Sequence, residues 1–238
     1  MKKIVISQPM FFPWIGLFEQ IKLADIYVHY DDVQFSKGSF TNRVQIKTKN
    51  GFKWLTIPLK DIKLGQIIRD VKVCHKNNWR EQHIKFLSQN YFKAPYQQDM
   101  LDLVNKVYSQ HTDMLVDLTI ASLNEVCRYF NLKQPDHFLY SSNLNIGGKS
   151  SQRVVNIVKY LQGNIYITGH GASNYLDHQL FEREGIRVEY MNYQKISYPQ
   201  LYGEFTPYVS ILDLIANVGR KGTKYIDSST TYWRDFIK

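Results

Sequence analysis

Hydrophobic and polar positions follow two periods along this chain, and the first forty residues already combine both. Residues 3–8, KIVISQ, are an apolar run closed by polar residues, and residues 26–32, IYVHYDD, are another, so both read as short buried strands. Between them Pro13 suits the first turn of a helix, and Leu17, Phe18, Ile21 and Ala24 recur on one helical face. Strand, helix and strand within about 30 residues predict a βαβ unit. Its first loop and the end of its second strand meet at the carboxyl edge of a parallel sheet, where such proteins bind ligands. Gln8 should therefore neighbour Asp31 and Asp32.

Residues 43–59, RVQIKTKNGFKWLTIPL, change to alternation around Asn50-Gly51, which predicts a β-hairpin. Val44, Ile46, Phe52 and Trp54 are expected inward, with Lys47, Lys49 and Lys53 outward. From Trp79 to Phe130 the period is helical, carried at its end by Leu115, Leu118, Leu123, Val126 and Phe130, with Thr112 as a start cap and Asn131 and Pro135 as terminators. Strands and helices then alternate again. FLYSS and NIYITG read as strands flanking a helix capped by Ser150 or Ser151 and stopped at Gly163; a short helix over 175–184 ends at Gly185, and IRVEYMNY follows as a strand. Ser210-Ile-Leu-Asp213 matches a capping box. These elements predict one α/β domain over 1–238: an open, mostly parallel sheet with covering helices, a hairpin insertion at about 43–59 and a helical subdomain at about 79–131.

Composition narrows the class. Two cysteines, Cys74 and Cys127, have no metal or redox spacing and read as buried small apolar residues of a reducing compartment. The amino terminus turns polar too soon for a signal peptide, and no apolar run approaches the roughly 18 residues of a membrane span, so a cytoplasmic protein is expected. The net charge of +9 sits in one place: residues 36–85 hold twelve Lys/Arg against three acidic residues, and twelve minus three is nine. Such a stretch favours phosphate-bearing partners, or serves only as a solvated face.

Candidate chemistry clusters at the predicted sheet edge. In SQPMFFPWIG, Pro9 and Pro13 stiffen a loop whose Phe11, Phe12 and Trp14 offer faces for a base or sugar, or else plug the sheet end, while Gln8 supplies an amide. Asp31 and Asp32 could bind a metal, accept a sugar hydroxyl, act as base, or cap the next turn. Gln34, Lys37, Asn42 and Arg43 follow; Lys37, Asn42 and Arg43 suit phosphate or carboxylate oxygens or remain solvated. Gly169-His170-Gly171 again follows a predicted strand, which makes His170 the histidine best placed for proton transfer, unless it is idle. There is no Walker A sequence, dinucleotide fingerprint, zinc-ligand spacing or serine-hydrolase elbow, and no metal site is expected.

Through SQPMFFPWIGLFEQI, DDVQFSKGSFTNRVQIKT, YITG with NYL, and SILDLIANVG, nearly the whole chain resembles the WbqC-like family. The resemblance makes Gln8, Pro13, Trp14, Gly16, Asp32, Gln34, Lys37, Asn42 and Arg43 signature residues, with Gly169, Tyr175, Tyr198 and Asp213 as later ones; the Gly-His-Gly at 169–171 departs from the usual family spelling. It implies an enzyme of O-antigen or capsule precursor synthesis that transfers an aminoacyl group, with glycine suggested, to the amine of a nucleotide-linked amino sugar. The acyl donor would be the amino acid activated by ATP or carried on tRNA. A fainter likeness to pantothenate-synthetase-type ligases lacks their two ATP-binding histidines. The alternatives are a non-catalytic sugar-nucleotide- or RNA-binding accessory protein and an ATP-dependent amide ligase.

Overall fold

The computed structural model describes residues 1–133 and 138–237, so Pro135 lies outside the described residues. Strand β1 (Lys3–Ser7), helix α1 (Ile15–Leu23) and β2 (Ile26–His29) form the expected βαβ unit, with Ser7 opposite His29 in a parallel pair. The hairpin follows as β3 (Arg43–Thr48) and β4 (Gly51–Thr56), then the short antiparallel pair β5 (Leu59–Lys60) and β6 (Lys72–Val73). The helical section comprises α2 (Trp79–Asn90), α3 (Gln97–Tyr108) and α4 (Leu115–Tyr129). The second half runs β7 (Leu139–Tyr140), α5 (Ser141–Leu144), α6 (Ser150–Tyr160), β8 (Ile165–Thr168), α7 (His178–Arg183), β9 (Arg187–Met191), α8 (Ile211–Val218), β10 (Thr230–Tyr232) and α9 (Trp233–Phe236).

The central sheet has the order β10-β9-β8-β1-β2-β7, parallel throughout except for the antiparallel edge strand β10. Successive residues of a strand point to opposite faces, and the two hydrophobic clusters sort accordingly. Val5, Tyr27, Ile165 and Ile167 join α1, α4, α8 and the hairpin on one side; Ile4, Ile6, Val28, Tyr166 and Val188 join α6 and α7 on the other. A parallel sheet covered on both faces is the doubly wound arrangement. From β1 the chain moves outward through β2 to β7, then returns to β8 on β1's other side, which makes the β1–β8 junction the topological switch point.

Several local expectations are revised. The hairpin turn is Lys49-Asn50, with Gly51 taking the positive φ (95°), and Lys47 pairs with Phe52 on one face. Val44 and Ile46 turn inward together with Leu55 and Ile57, while Phe52 and Trp54 are exposed. Lys47 is buried instead of solvated: its ammonium donates to Gln200 Oε1 (3.1 Å) and to the carbonyls of Gly203 and Glu204. Thr112 stands before the cap of α4, where its hydroxyl accepts from Met114 N and donates to Asp117. Gly163 does not end α6 through its φ; Gln162 takes the left-handed turn (φ 56°), and a Cβ on Gly163 would lie 2.4 Å from Ile4. FLYSS is a strand only over β7, because Ser141 begins α5. The helix expected over 175–184 is α7, capped by Asp177 through Leu180 N. Cys127 is buried as expected, whereas Cys74 is half-buried.

Candidate ligand cleft at the sheet switch point

A cavity of about 760 Å³ opens at the carboxyl ends of β1, β2 and β8. Its size lies within the roughly 300–1,000 Å³ of small-molecule and cofactor sites. Gln8 follows β1 and Tyr30 follows β2, while Thr168, Gly169 and His170 come from the end of β8 and its loop. Trp14 and Gln20 reach it from α1, and Tyr193 from the chain just beyond β9.

The wall between α1 and β9 is preset by two glycines. A Cβ on Gly16 would fall 2.3 Å from the Trp14 ring and 2.7 Å from Tyr193, so only glycine lets the indole fold over the first turn of α1 and meet Tyr193 (4.7 Å between centroids). A Cβ on Gly169 would fall 2.8 Å from the Tyr193 hydroxyl. Gln20 Nε2 donates to that hydroxyl at 2.7 Å, which leaves the Tyr193 O–H free to donate elsewhere. Burial raises the Tyr193 pKa, with Gln20 opposing, so the group stays protonated. His170 Nε2 donates to the Met191 carbonyl at 2.5 Å, which fixes the tautomer and leaves the Nδ1 lone pair as a proton acceptor.

The cleft favours anions. Among the described residues that line it there is no carboxylate, whereas Lys195 stands on it, its ammonium 5.2 Å from the Tyr208 ring centre. Ser150 and Ser151 bring the start of α6 to the same space. Neither serine is the cap that its position suggests: Lys149 occupies the N-cap without a side-chain bond, and Ser151 Oγ accepts from Asp177 N at 3.0 Å. The first amides of α6 are therefore uncapped by side chains, in an arrangement that suits phosphate oxygens. No group of three or more His, Cys, Asp or Glu able to hold a metal gathers among the described residues.

The residues expected to converge on one site divide into four settings. Gln8, Trp14, Gly169, His170 and Tyr175 line the cleft. Phe12 does not; it is fully buried at φ 38°, its N–H donating to Ser122 Oγ (2.9 Å) and its carbonyl accepting from Ser210 Oγ (2.8 Å). Pro13 is also buried, and its carbonyl accepts from Ile211 N. Tyr198 is buried against Asp213 Oδ1 (3.0 Å), whose other oxygen accepts from Tyr91 (2.9 Å). Asp213 thus ties three segments together instead of closing the expected capping box, while Ser210 does cap α8.

Asp31 and Asp32 emerge at the sheet edge beside Gln8, but they turn away from the cleft. Asp31 accepts from Ser141 Oγ, Ser142 N and Ser142 Oγ at 2.6–3.0 Å. Asp32 accepts from Ser141 Oγ and from the Arg153 guanidinium, both at 2.5 Å. Burial pushes the Asp32 pKa up, yet the bonds from Arg153 and Ser141 outweigh it and hold the carboxyl below its ordinary range. A paired, weakly basic carboxylate is suited to positioning α6, which carries Arg153, more than to taking a proton. In the fourth setting Asn42 Nδ2 donates to the Ile57 carbonyl and Arg43 lies over Trp54, while Gln34, bridged to Ile67, and Lys37 are exposed.

Sequence reading missed Gln20, Tyr30, Ser150, Ser151, Tyr193 and Lys195. Gly147-Gly148-Lys149-Ser150-Ser151, glycines ahead of a helix start, was an available signal for the α6 end.

By its strand order and covering helices, the molecule is a doubly wound α/β protein with a cavity at its switch point. It belongs to the WbqC-like protein family, whose model matches residues 8–225. The chain is also similar to a Mycobacterium tuberculosis protein described as "Uncharacterized protein Rv1507c", with 32% identity over 230 residues, which are 95% of this chain and 98% of the relative. No solved structure matches the chain at a significant level. Among the described residues, no helix is long and apolar enough to cross a membrane.

Proposed function

We propose that this protein is an enzyme of surface-polysaccharide precursor biosynthesis that transfers an aminoacyl group, glycine being the first candidate, to the amine of a nucleotide-linked amino sugar. The observation that carries the reading is the aromatic cleft at the switch point, with no carboxylate among the described residues that line it and open to the uncapped start of α6. A nucleotide diphosphate would sit at the α6 amides and Lys195, and a base or sugar ring against Trp14, Tyr30 or Tyr175. The sugar amine attacks the acyl carbonyl, a C–N bond forms, and the bond to the donor's leaving oxygen breaks. His170 Nδ1 takes the amine proton and returns it to the leaving group. The Tyr193 O–H, which Gln20 leaves unspent, donates to the developing oxyanion.

The test is mass spectrometry of a nucleotide-linked amino sugar incubated with the protein, glycine and ATP or, separately, with glycyl-tRNA. A glycylated sugar should appear with one donor, and His170→Gln should lower its formation by about 100-fold or more while sugar-nucleotide binding persists. No product with either donor overturns the aminoacyl-transfer reading.

A further inference from the structure

The hairpin displays to solvent side chains that a core normally takes in. Phe40, Phe52 and Trp54 are 49%, 57% and 39% exposed. The Phe40 and Trp54 rings lie 5.8 Å apart between centroids, and Phe52 and Trp54, alternate residues of β4, share one face. The Arg43 guanidinium lies 4.2 Å over the indole, in space that Gly38 leaves open: a Cβ there would stand 3.2 Å from an Arg43 terminal nitrogen. The same stretch of chain is rich in cations. Of the twelve cations in residues 36–85, among the described residues only Arg69 lies within ion-pairing distance of a carboxylate, at 4.0 Å from Asp70. Lys37 and Lys49 are exposed, three residues before Phe40 and before Phe52 in the chain.

We infer that this face binds single-stranded RNA. Exposed rings stack on unpaired bases whatever their identity, and the surrounding cations meet the phosphates; a duplex hides its base faces and offers only charge. An acidic lipid surface is the competing occupant, but a guanidinium held over the indole and rings tilted at 46° make stepped stacking faces, not an inserting tip. The loop that carries Phe40 begins at Val33, which lines the cleft, and the Phe40 carbonyl accepts from Phe11 N at 3.0 Å, so the face adjoins the cleft rim. The choice of RNA over DNA rests on the aminoacyl-transfer reading, in which RNA bears the activated ester; the stacking face itself does not.

Fluorescence anisotropy with a short labelled single-stranded RNA tests this on the full chain. Trp54→Ala and Phe40→Ala should each weaken binding by about tenfold or more. Lys49→Ala should reduce the slope of log affinity against log salt by about 0.7. Both rings are exposed, so thermal melts should stay unchanged, and Trp54→Phe should retain most of the affinity. The inference is overturned by no RNA binding, by duplex RNA or heparin binding as tightly, by single-stranded DNA binding more tightly, or by acidic phospholipid vesicles being the ligand that these variants lose. Any of these leaves glycine transfer with ATP intact as a separate measurement.

Discussion

The cleft and the hairpin face both present aromatic rings, yet they are built by opposite means. In the cleft, Tyr193 is 8% exposed, its ring set by Trp14 and its hydroxyl by Gln20, and the anion-seeking elements are helix amides and Lys195. On the hairpin the rings stand in solvent, and the charge beside them is borne by side chains, with Arg43 over Trp54 and exposed lysines nearby in the chain. A buried polar wall discriminates by shape and by which hydrogen bonds a ligand completes, whereas an exposed basic face responds to charge, stacking and salt. Substitutions in the first region should therefore register in stability, and those in the second in affinity alone.

The largest effect expected from this contrast is at Asp32, whose partnership with Arg153 leaves their side chains only 16% and 14% exposed. Asp32→Ala strands the guanidinium and should lower unfolding stability by about 3 kcal/mol, read from a urea midpoint, with RNA binding to the folded protein unchanged. A loss below about 0.5 kcal/mol, as at an ordinary surface site, would free Asp32 from this structural role and return it to chemistry.

Next comes Glu19, 1% exposed on α1 behind the cleft wall. Burial raises its pKa from 4.5 to about 7, with a bond from Ser228 opposing. Between those values the native protein holds a proton that the unfolded chain releases, so this contribution to stability is complete below pH 4.5 and is lost as pH rises through about 7. Glu19→Gln should be more stable than the parent by about 2 kcal/mol at about pH 8 and show no gain near pH 4, measured by urea unfolding at each pH. An equal difference at both would remove the titration.

Smallest is Gly16→Ala, which must push Trp14 or Tyr193 aside. About 1–2 kcal/mol of stability and a changed near-ultraviolet circular dichroism signal are expected, again with the hairpin face unaffected. An unaltered spectrum would mean that the wall is not fixed by Gly16.

The layered sheet was legible because a buried parallel sheet needs runs such as KIVIS and IYITG, and its helices need the 3.6-residue period. The parity of the hairpin was not. The expected inward set of Val44, Ile46, Phe52 and Trp54 mixed two faces: across the two-residue turn Phe52 pairs with Lys47 and Trp54 with Gln45, and on that side the carbonyls of Gly203 and Glu204 receive the Lys47 ammonium. The candidate site was half legible for the same reason. Rules for sheet edges located Gln8 and His170; Gln20 and Tyr193, 173 positions apart, meet only through the fold. Asp31 and Asp32 reached the expected edge, and the hydroxyls of Ser141 and Ser142 decided their direction.

Phe12 carries a final consequence. A non-glycine residue at φ 38°, between two proline-stiffened turns and clamped by Ser122 and Ser210, has no ready alternative conformation. The loop that delivers Trp14 is thus ordered before any ligand arrives, and its conformational entropy is lost during folding instead of at binding. Association with the cleft should therefore resemble a lock accepting a key along that wall, with adaptation confined to its exposed side chains, Tyr175 and Lys195.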